Sequence, residues 1–598
     1  MIAVCGAMSL RAEPRFDSLE ELGRLEARIE VVVRKALPAT VSLFSERLAS
    51  SGSGVIVSRD GLILTAGHVV TGVREVTVVF SDGKEAEAEV LGANLSKDAG
   101  LARLRGEGPW PAVEMGYSEG LEAGDFVVSL GHAGGFDPLR TAPVRFGRIV
   151  SRNEGFLGTD CALIGGDSGG PLFDLEGRLV GIHSSIGAEL FVNNHTGIDN
   201  FRADWDRLAA GEKWGRLKFD VLADPDRMVR GFTLFAAPSA SEQRKLDRLA
   251  GQVFRALGSV AGEVAGGVVE VRWRDERVGY GTVVASQKVL VKWSEIRGGL
   301  QGLACRTGEG VRHRARLLGI YRDDDLALLE VDGLEAEPLL LGEGGDLRLG
   351  QFLGLARPDG EAAGMGVVSV LPRTLRASDR GFLGVSMDPT FRGPGVRVLE
   401  VQPSTAAEEA GLQPGDVITG IERRAVAGRF ELSSILQRLD PEQRVRVKFR
   451  RGGNQKAAIV TLGRRPPPPR FPYSRLERMN RMGGHRYNEV RDEFREVAQS
   501  DMQIAPEDCG APVIDLGGRV VGVAAARAGR ICTFIIPSKR IAKLLQEAPA
   551  APELEDLARR AEPAPEEGGA AGEDPFDTMR RGLDEMRRLM RELDRRDR

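Results

Sequence analysis

Short apolar runs closed by turn residues dominate the hydrophobic pattern. Thr40-Val41-Ser42-Leu43-Phe44, Val55-Ile56-Val57, Ile63-Leu64 and Val268-Val269-Glu270-Val271 are rich in β-branched residues and end near Gly, Asp or Asn. Asp60-Gly61 between two such runs marks a hairpin. Helical spacing is rarer. Residues 18–37 carry Leu19, Leu22, Leu25 and Ile29 at three-to-four intervals before Pro38. Further helices are predicted over 200–211 (Phe201, Trp205 and Leu208 on one side), 239–257, 430–439 and 538–547, with a charged one over 487–499. Phe576, Met579, Leu583, Met586, Met590 and Leu593 form a short, Met-rich heptad-like seam, which leaves self-association open. The balance predicts a mainly β protein built of barrels, with short connecting helices and a C-terminal helix.

Composition narrows this reading in a few places. The 598 residues allow several domains. A net charge of -4, with Lys and Arg dispersed, gives no basic field for nucleic acid. No run of 18 apolar residues exists, so no membrane span is predicted. Cys5, Cys161, Cys305, Cys509 and Cys532 are too scattered for a disulfide framework or a zinc site, although a Cys509–Cys532 bridge can be drawn. Residues 1–16 read equally as the tail of a secretory signal or as a disordered start.

The chemistry gathers around Gly165-Gly166-Asp167-Ser168-Gly169-Gly170. Glycines let a carbonyl approach the Ser168 hydroxyl and let backbone N–H groups converge on an oxyanion. A serine needs a base, and that base needs an orienter. His68, after the strand Leu62 to Ala66, titrates near neutrality and suits the first role. Asp98, at the mouth of another strand, suits the second. Ala66-Gly67-His68, Asp98 and Gly166-Asp167-Ser168-Gly169-Gly170-Pro171 resemble the triad motifs of trypsin-like serine peptidases. Ser53-Gly54-Val55-Ile56 and Thr159-Asp160-Cys161-Ala162 narrow the resemblance to the HtrA (Do-like) branch. It implies a double β-barrel, His68 as general base, Asp98 as its orienter, Ser168 as nucleophile, and an oxyanion hole at the N–H groups of Gly166 and Ser168. Gly165-Gly166-Asp167 departs from the branch's usual Asn-containing turn. The strand from Gly181 to Gly187 would line the primary specificity pocket; it has no acidic residue, which favours small or medium apolar side chains.

The pattern then repeats. Gly279-Tyr280-Gly281 stands where Gly52-Ser53-Gly54 stood, and residues 290–296 match the His68 segment with Glu295 in the base position. Asp325 takes the place of Asp98, and Asp508-Cys509-Gly510 that of Asp167-Ser168-Gly169. A thiol beside two carboxylates lacks the cationic neighbour that would activate it, so Glu295, Asp325 and Cys509 are expected to form a degenerate, non-catalytic second site.

The repeat is interrupted by residues 377–465, whose Gly381-Phe382-Leu383-Gly384 and Gln413-Pro414-Gly415-Asp416 resemble a PDZ domain. The resemblance makes Gly381, Phe382, Leu383 and Gly384 a carboxylate-binding loop and the next strand an edge for a C-terminal peptide. The expected organisation is two tandem trypsin-like double-barrel units plus the PDZ domain. Residues 1–16 form an N-terminal segment, 17–235 an active protease domain, and 236–376 with 498–548 a degenerate one enclosing the PDZ domain. Residues 466–497 are a Pro-rich and helical connector, 549–573 a disordered linker, and 574–598 an amphipathic helix. The resemblance implies an ATP-independent endopeptidase acting on unfolded or damaged proteins, without metal or organic cofactor, in the periplasm or otherwise exported. The alternatives are a peptide-binding scaffold with minor proteolysis and a cytoplasmic location.

Overall fold

A computed structural model describes residues 16, 18–45, 50–187, 189–217, 238–342, 345–467 and 475–557. Residues 1–15, the C-terminal helix 574–598 and most of the linker 549–573 lie outside the described residues. Within that linker, Leu554–Leu557 form a helical turn where disorder was expected.

The first unit begins with the helix Leu19–Ala36. The Ser18 side chain caps it by accepting from the Glu21 N–H, and Leu22, Leu25, Ile29 and Val32 are buried against the barrels. Strands Thr40–Ser45, Ser50–Ile56, Leu62–Ala66, Glu75–Val79, Glu85–Asn94 and Ala99–Leu104 form one sheet, which curls because Glu85–Asn94 also pairs with Ala99–Leu104. Phe126–Leu130, Val144–Asn153, Phe156–Thr159, Asn193–Gly197, Leu179–Ile186 and Pro171–Asp174 close a second barrel. The helix predicted over 200–211 divides into Ile198–Ala203 and Trp205–Ala209. It breaks at Asp204, whose carboxylate accepts from Asn94 and pairs with Lys97.

The second unit repeats this order. Its helix Ala240–Val264, fixed by a Ser239–Glu242 capping box, runs past residue 257 because Val260, Ala261 and Val264 extend the buried stripe. A closed barrel of Val268–Trp273, Glu276–Ala285, Lys288–Lys292, Leu326–Val331, Arg312–Tyr321 and Leu303–Arg306 follows. In the next barrel, strands Ala362–Arg373 and Val497–Ser500 are neighbours, and the PDZ-like sheet is inserted between them in sequence. Residues 487–496 are not the expected charged helix. Their backbone groups are used elsewhere: the Asn488 N–H donates to Arg527 O, and Phe494 O accepts from the Leu375 N–H. The connector's helix lies earlier, at Arg475–Arg481.

The two units meet through equivalent barrels. Phe146 packs edge-on to Phe352 at 5.2 Å, and the Ser369 hydroxyl donates to Val144 O at 2.5 Å. Asp501 accepts from the N–H groups of Phe146 at 2.8 Å and Val367 at 2.7 Å.

Candidate active site

Strand register places the site. Leu62–Ala66 pairs with Ala99–Leu104, Ala66 opposite Ala99, so Asp98 and the short helix Gly67–Val70 lie at the same end of the two strands. Asp98 turns at φ +52°, a left-handed conformation that a short polar side chain tolerates. Its Oδ1 accepts from the His68 backbone N–H at 2.9 Å. His68 Nδ1 lies 3.0 Å from both Oδ1 and Oδ2, with Asp98 1% exposed and His68 9%. Such a hold fixes the ring and favours a proton on Nδ1, leaving Nε2 basic. The Ser184 hydroxyl donates to Asp98 Oδ2 at 2.7 Å. The sequence reading missed this contact because it placed Ser184 only along the pocket-lining strand.

Ser168 stands between Asp167 and Gly169, whose φ is +89°. Gly166 adopts φ +94°, and a Cβ there would sit 2.6 Å from His132 O and 2.7 Å from the nitrogens of Gly134 and Gly135. The turn is tied by the Asp167 N–H donating to Ile164 O and by the Ile164 N–H donating to Asp167 Oδ2 at 2.8 Å. Among the described residues, the N–H groups of Gly166 and Ser168 donate to no protein acceptor, which leaves both for a ligand oxygen. Beneath the turn lies Arg145, also missed in the sequence, donating to Asp167 Oδ1 at 3.0 Å.

His68 and Ser168 line one pocket with Leu163, Ile164, Ser185 and Ile186. Asp167, Arg475 and Met479 line it as well, so its walls combine apolar, hydroxyl-bearing and charged groups. His183 and His195, buried behind it, face each other through their Nδ1 atoms at 2.9 Å. Burial lowers both pKa values, that of His195 to about 3, so the pair is neutral at physiological pH.

Two domain families match the chain. A trypsin-like peptidase domain matches residues 52–182, and a PDZ domain matches residues 381–462. A probable periplasmic serine endoprotease DegP-like of Ectopseudomonas mendocina (strain ymp) is 30% identical over 474 residues, 76% of this chain and 88% of the relative. The chain belongs to the DegP-like serine endoproteases. A relative with the same description from Pseudomonas putida (strain GB-1) is 30% identical over 69% of this chain and 79% of its own length. One from Halomonas elongata is 26% identical over 72% and 82%.

In this DegP-like chain the second unit has the same frame with different contents. Lys292 pairs with Leu326 as Ala66 pairs with Ala99, and Asp325 also turns at φ +52°. The register therefore corrects the sequence match by one residue: Ser294, not Glu295, occupies the place of His68. The Ser294 N–H donates to Asp325 Oδ1 at 2.9 Å and its hydroxyl to Oδ2 at 2.8 Å, repeating the His68 contacts without a base. Lys292, buried, completes the shell with its ammonium 2.5 Å from Asp325 Oδ2. Glu295 accepts instead from Asn488 Nδ2 at 2.9 Å. Burial raises its pKa against the opposing pull of Asn488 and Lys292.

Cys509 lies in the serine's place, fully buried, and donates to Asn488 Oδ1 at 3.3 Å. Burial pushes its thiol up to about 12. Cys509 and Cys532 are both free thiols, so the bridge drawn from sequence does not form. The turn before Cys509 is a tight helical one, Pro506–Asp508, and the Cys509 N–H is used up on Pro506 O at 3.2 Å.

The PDZ domain brings Gly381–Phe382 into a short pairing with Gly463–Arg464 and buries Leu383. Gly384 has φ +85°, and a Cβ there would meet Thr405 Cβ at 2.2 Å. Val385–Met387 is an edge strand with Val396–Val401 as its sheet neighbour. The helix of this domain runs Arg429–Gln437, and its Phe430 packs edge-on to both Phe44 and Phe136 of the first unit, each at 5.7 Å.

Proposed function

We propose that this chain is a serine endopeptidase in which Ser168 attacks the carbonyl of a peptide bond, His68 takes the hydroxyl proton and returns it to the leaving amine, and Asp98 holds the imidazole. The hold on His68 carries this reading: Nδ1 faces both Asp98 oxygens at 3.0 Å, while the ring shares a pocket with Ser168. The N–H groups of Gly166 and Ser168, free of protein acceptors among the described residues, receive the oxyanion of the tetrahedral intermediate. Collapse expels the amine product and leaves an acyl-enzyme. Water, deprotonated by His68, then hydrolyses the ester and regenerates Ser168. Family membership supports unfolded or damaged proteins as substrates and an exported, periplasmic location.

The PDZ domain recognises a peptide C-terminus: Gly381, Phe382, Leu383 and Gly384 receive the carboxylate, and Val385–Met387 pairs with the extended chain. The second unit performs no hydrolysis. Ser294 replaces the base, the thiol at 509 is protonated, and its N–H is already bonded. It acts as a pseudoprotease in support of the first unit.

A fluorophosphonate probe on the folded full-length chain tests the assignment. Labelling and casein cleavage are expected to vanish in Ser168→Ala and to survive in Cys509→Ala. Absence of labelling, with and without a C-terminal peptide, would leave a peptide-binding scaffold in place of an enzyme. The opposite pattern in the two variants would reverse the roles of the two sites.

A further inference from the structure

Met479 belongs to the connector helix Arg475–Arg481, beyond the PDZ domain in sequence, yet it lines the pocket of His68 and Ser168. It is 8% exposed and clusters with Ala162, Leu163, Ile164 and Ile186. Its sulfur lies 3.3 Å from where a Cβ on Gly165 would stand. With Met479 in place the pocket keeps a free volume of about 50 Å³. A water needs about 10–15 Å³ of such space, so the remaining space holds a few waters or a small side chain.

Arg530 of the second unit and the rest of the connector hold this helix in position. Asn480 Oδ1 accepts from the Arg530 N–H at 3.0 Å, Tyr487 donates its hydroxyl to Asn480 O, and Arg491 pairs with Glu477 at 2.6 Å. The Arg530 side chain is fully buried and crosses into the first unit. Its Nε donates to Leu163 O at 3.0 Å and its Nη2 to Glu189 O at 2.6 Å. One of those acceptors, Leu163, is itself a pocket-lining residue. A wall thus comes from the connector, and part of its frame from the unit that lacks the catalytic set.

We infer that Met479 sets the depth of the pocket for P1, the residue whose carbonyl is attacked, and that the connector, anchored on the second unit through Arg530, thereby determines the specificity of the first. This rests on the reading of Ser168 as the nucleophile. Met479 is a fixed wall and not a displaceable lid, because it lies in one continuous apolar cluster with Met482 and Phe494 of the connector and Phe534 of the second unit.

The test uses the full-length chain and two fluorogenic peptides identical except for Val or Phe at P1. In the series Met479→Leu, Met479→Val and Met479→Ala, the Phe-to-Val ratio of kcat/KM is expected to stay near the parent value, then rise, then reach at least tenfold. The graded series keeps the test informative if the alanine variant folds poorly. An equal change for both peptides would overturn the inference in favour of a lid, and an unmoved ratio would overturn it outright. Fluorophosphonate labelling separates the layers. If the parent and its variants fail to label at Ser168, the catalytic reading falls and this inference with it. If they label and the ratio does not move, only the inference falls.

Discussion

Arg145 donates to Asp167 at 3.0 Å, and each side chain is 1% exposed. Asp167 immediately precedes Ser168 and also accepts from the Ile164 N–H, so the serine turn is pinned from below by a buried ion pair. Burial raises the Asp167 pKa despite Arg145, and among the described residues Arg145 Nε and Nη2 lack partners. The pair is therefore incompletely compensated and costly to split. Removing one partner of a buried pair typically costs about 3–5 kcal/mol, because the other charge is stranded. Arg145→Met is expected to lose about that much in urea unfolding and to slow fluorophosphonate labelling at Ser168 at least tenfold. The double variant Arg145→Met, Asp167→Asn should lose less stability than the single one, since no unpaired charge remains.

Ser184 gives a gentler probe of the same site. Its hydroxyl donates to Asp98 Oδ2 at 2.7 Å, and hydrogen bonds to charged groups contribute about 1.5–3 kcal/mol. Ser184→Ala leaves Asp98 with the contacts to His68, so the fold should hold while the imidazole is oriented less firmly. A kcat reduced about tenfold with little change in KM is the expected result, read from steady-state kinetics on a peptide substrate. A change confined to KM would make Ser184 a pocket residue only.

The seam between the units should respond to pH. Burial raises Asp501 from 3.8 to about 6, outweighing the two N–H groups that stabilise its ionised form. A carboxyl with a raised folded-state pKa binds more protons when folded, so stability falls as pH rises. The loss begins near the unfolded value and is complete above about pH 6. At about 1.36 kcal/mol per pKa unit it reaches up to about 3 kcal/mol. Urea midpoints of the parent minus those of Asp501→Asn should fall between pH 4 and 7 and then level off. A flat difference would mean that Asp501 is already ionised in the folded state.

Much of the fold was legible because each strand announces itself by its own apolar run and each turn by its glycine. His68, Asp98 and Ser168 stood out because the chemistry restricts those residue types, and the structure places His68 in one pocket with Ser168 and against Asp98. Four features were hidden for a shared reason, that they depend on registers and partners far away in sequence. Arg145 reads as an ordinary strand residue until the barrel closes over it. The place of His68 in the repeat fell to Ser294 only once strand pairing fixed Lys292 opposite Leu326. Residues 487–496 carry helical charge spacing, but the bonds of Asn488 and Phe494 to Arg527 and Leu375 hold them in an irregular, non-helical path. Met479 could not have been assigned to the pocket by spacing, since it follows the inserted PDZ domain.

Cys509 provides the contrast that sets the two sites apart. Gly166 can turn at φ +94° and leaves the Ser168 N–H open, whereas Glu507 lies in a tight helical turn and the Cys509 N–H is bonded to Pro506 O. The thiol is fully buried, hydrogen-bonded to Asn488, and raised from 9.0 to about 12 mainly by that burial. Since the thiolate is the reacting form, three pKa units remove it by about a thousandfold at neutral pH, before steric exclusion is counted. In the folded chain at pH 7.5, iodoacetamide should modify Cys509 at least a thousandfold more slowly than in urea, as read from the mass of the Cys509 peptide. Arg527→Ala leaves Asn488 positioned against the thiol, because Arg527 holds Asn488 Oδ1 through its backbone N–H, and should not unmask it. Asn488→Ala removes the partner shared by Glu295, Cys509 and the Arg527 N–H, and should raise the rate. Rapid alkylation of the folded parent would mean that the thiol is activated, and the second unit would then have to be read as a site with chemistry of its own.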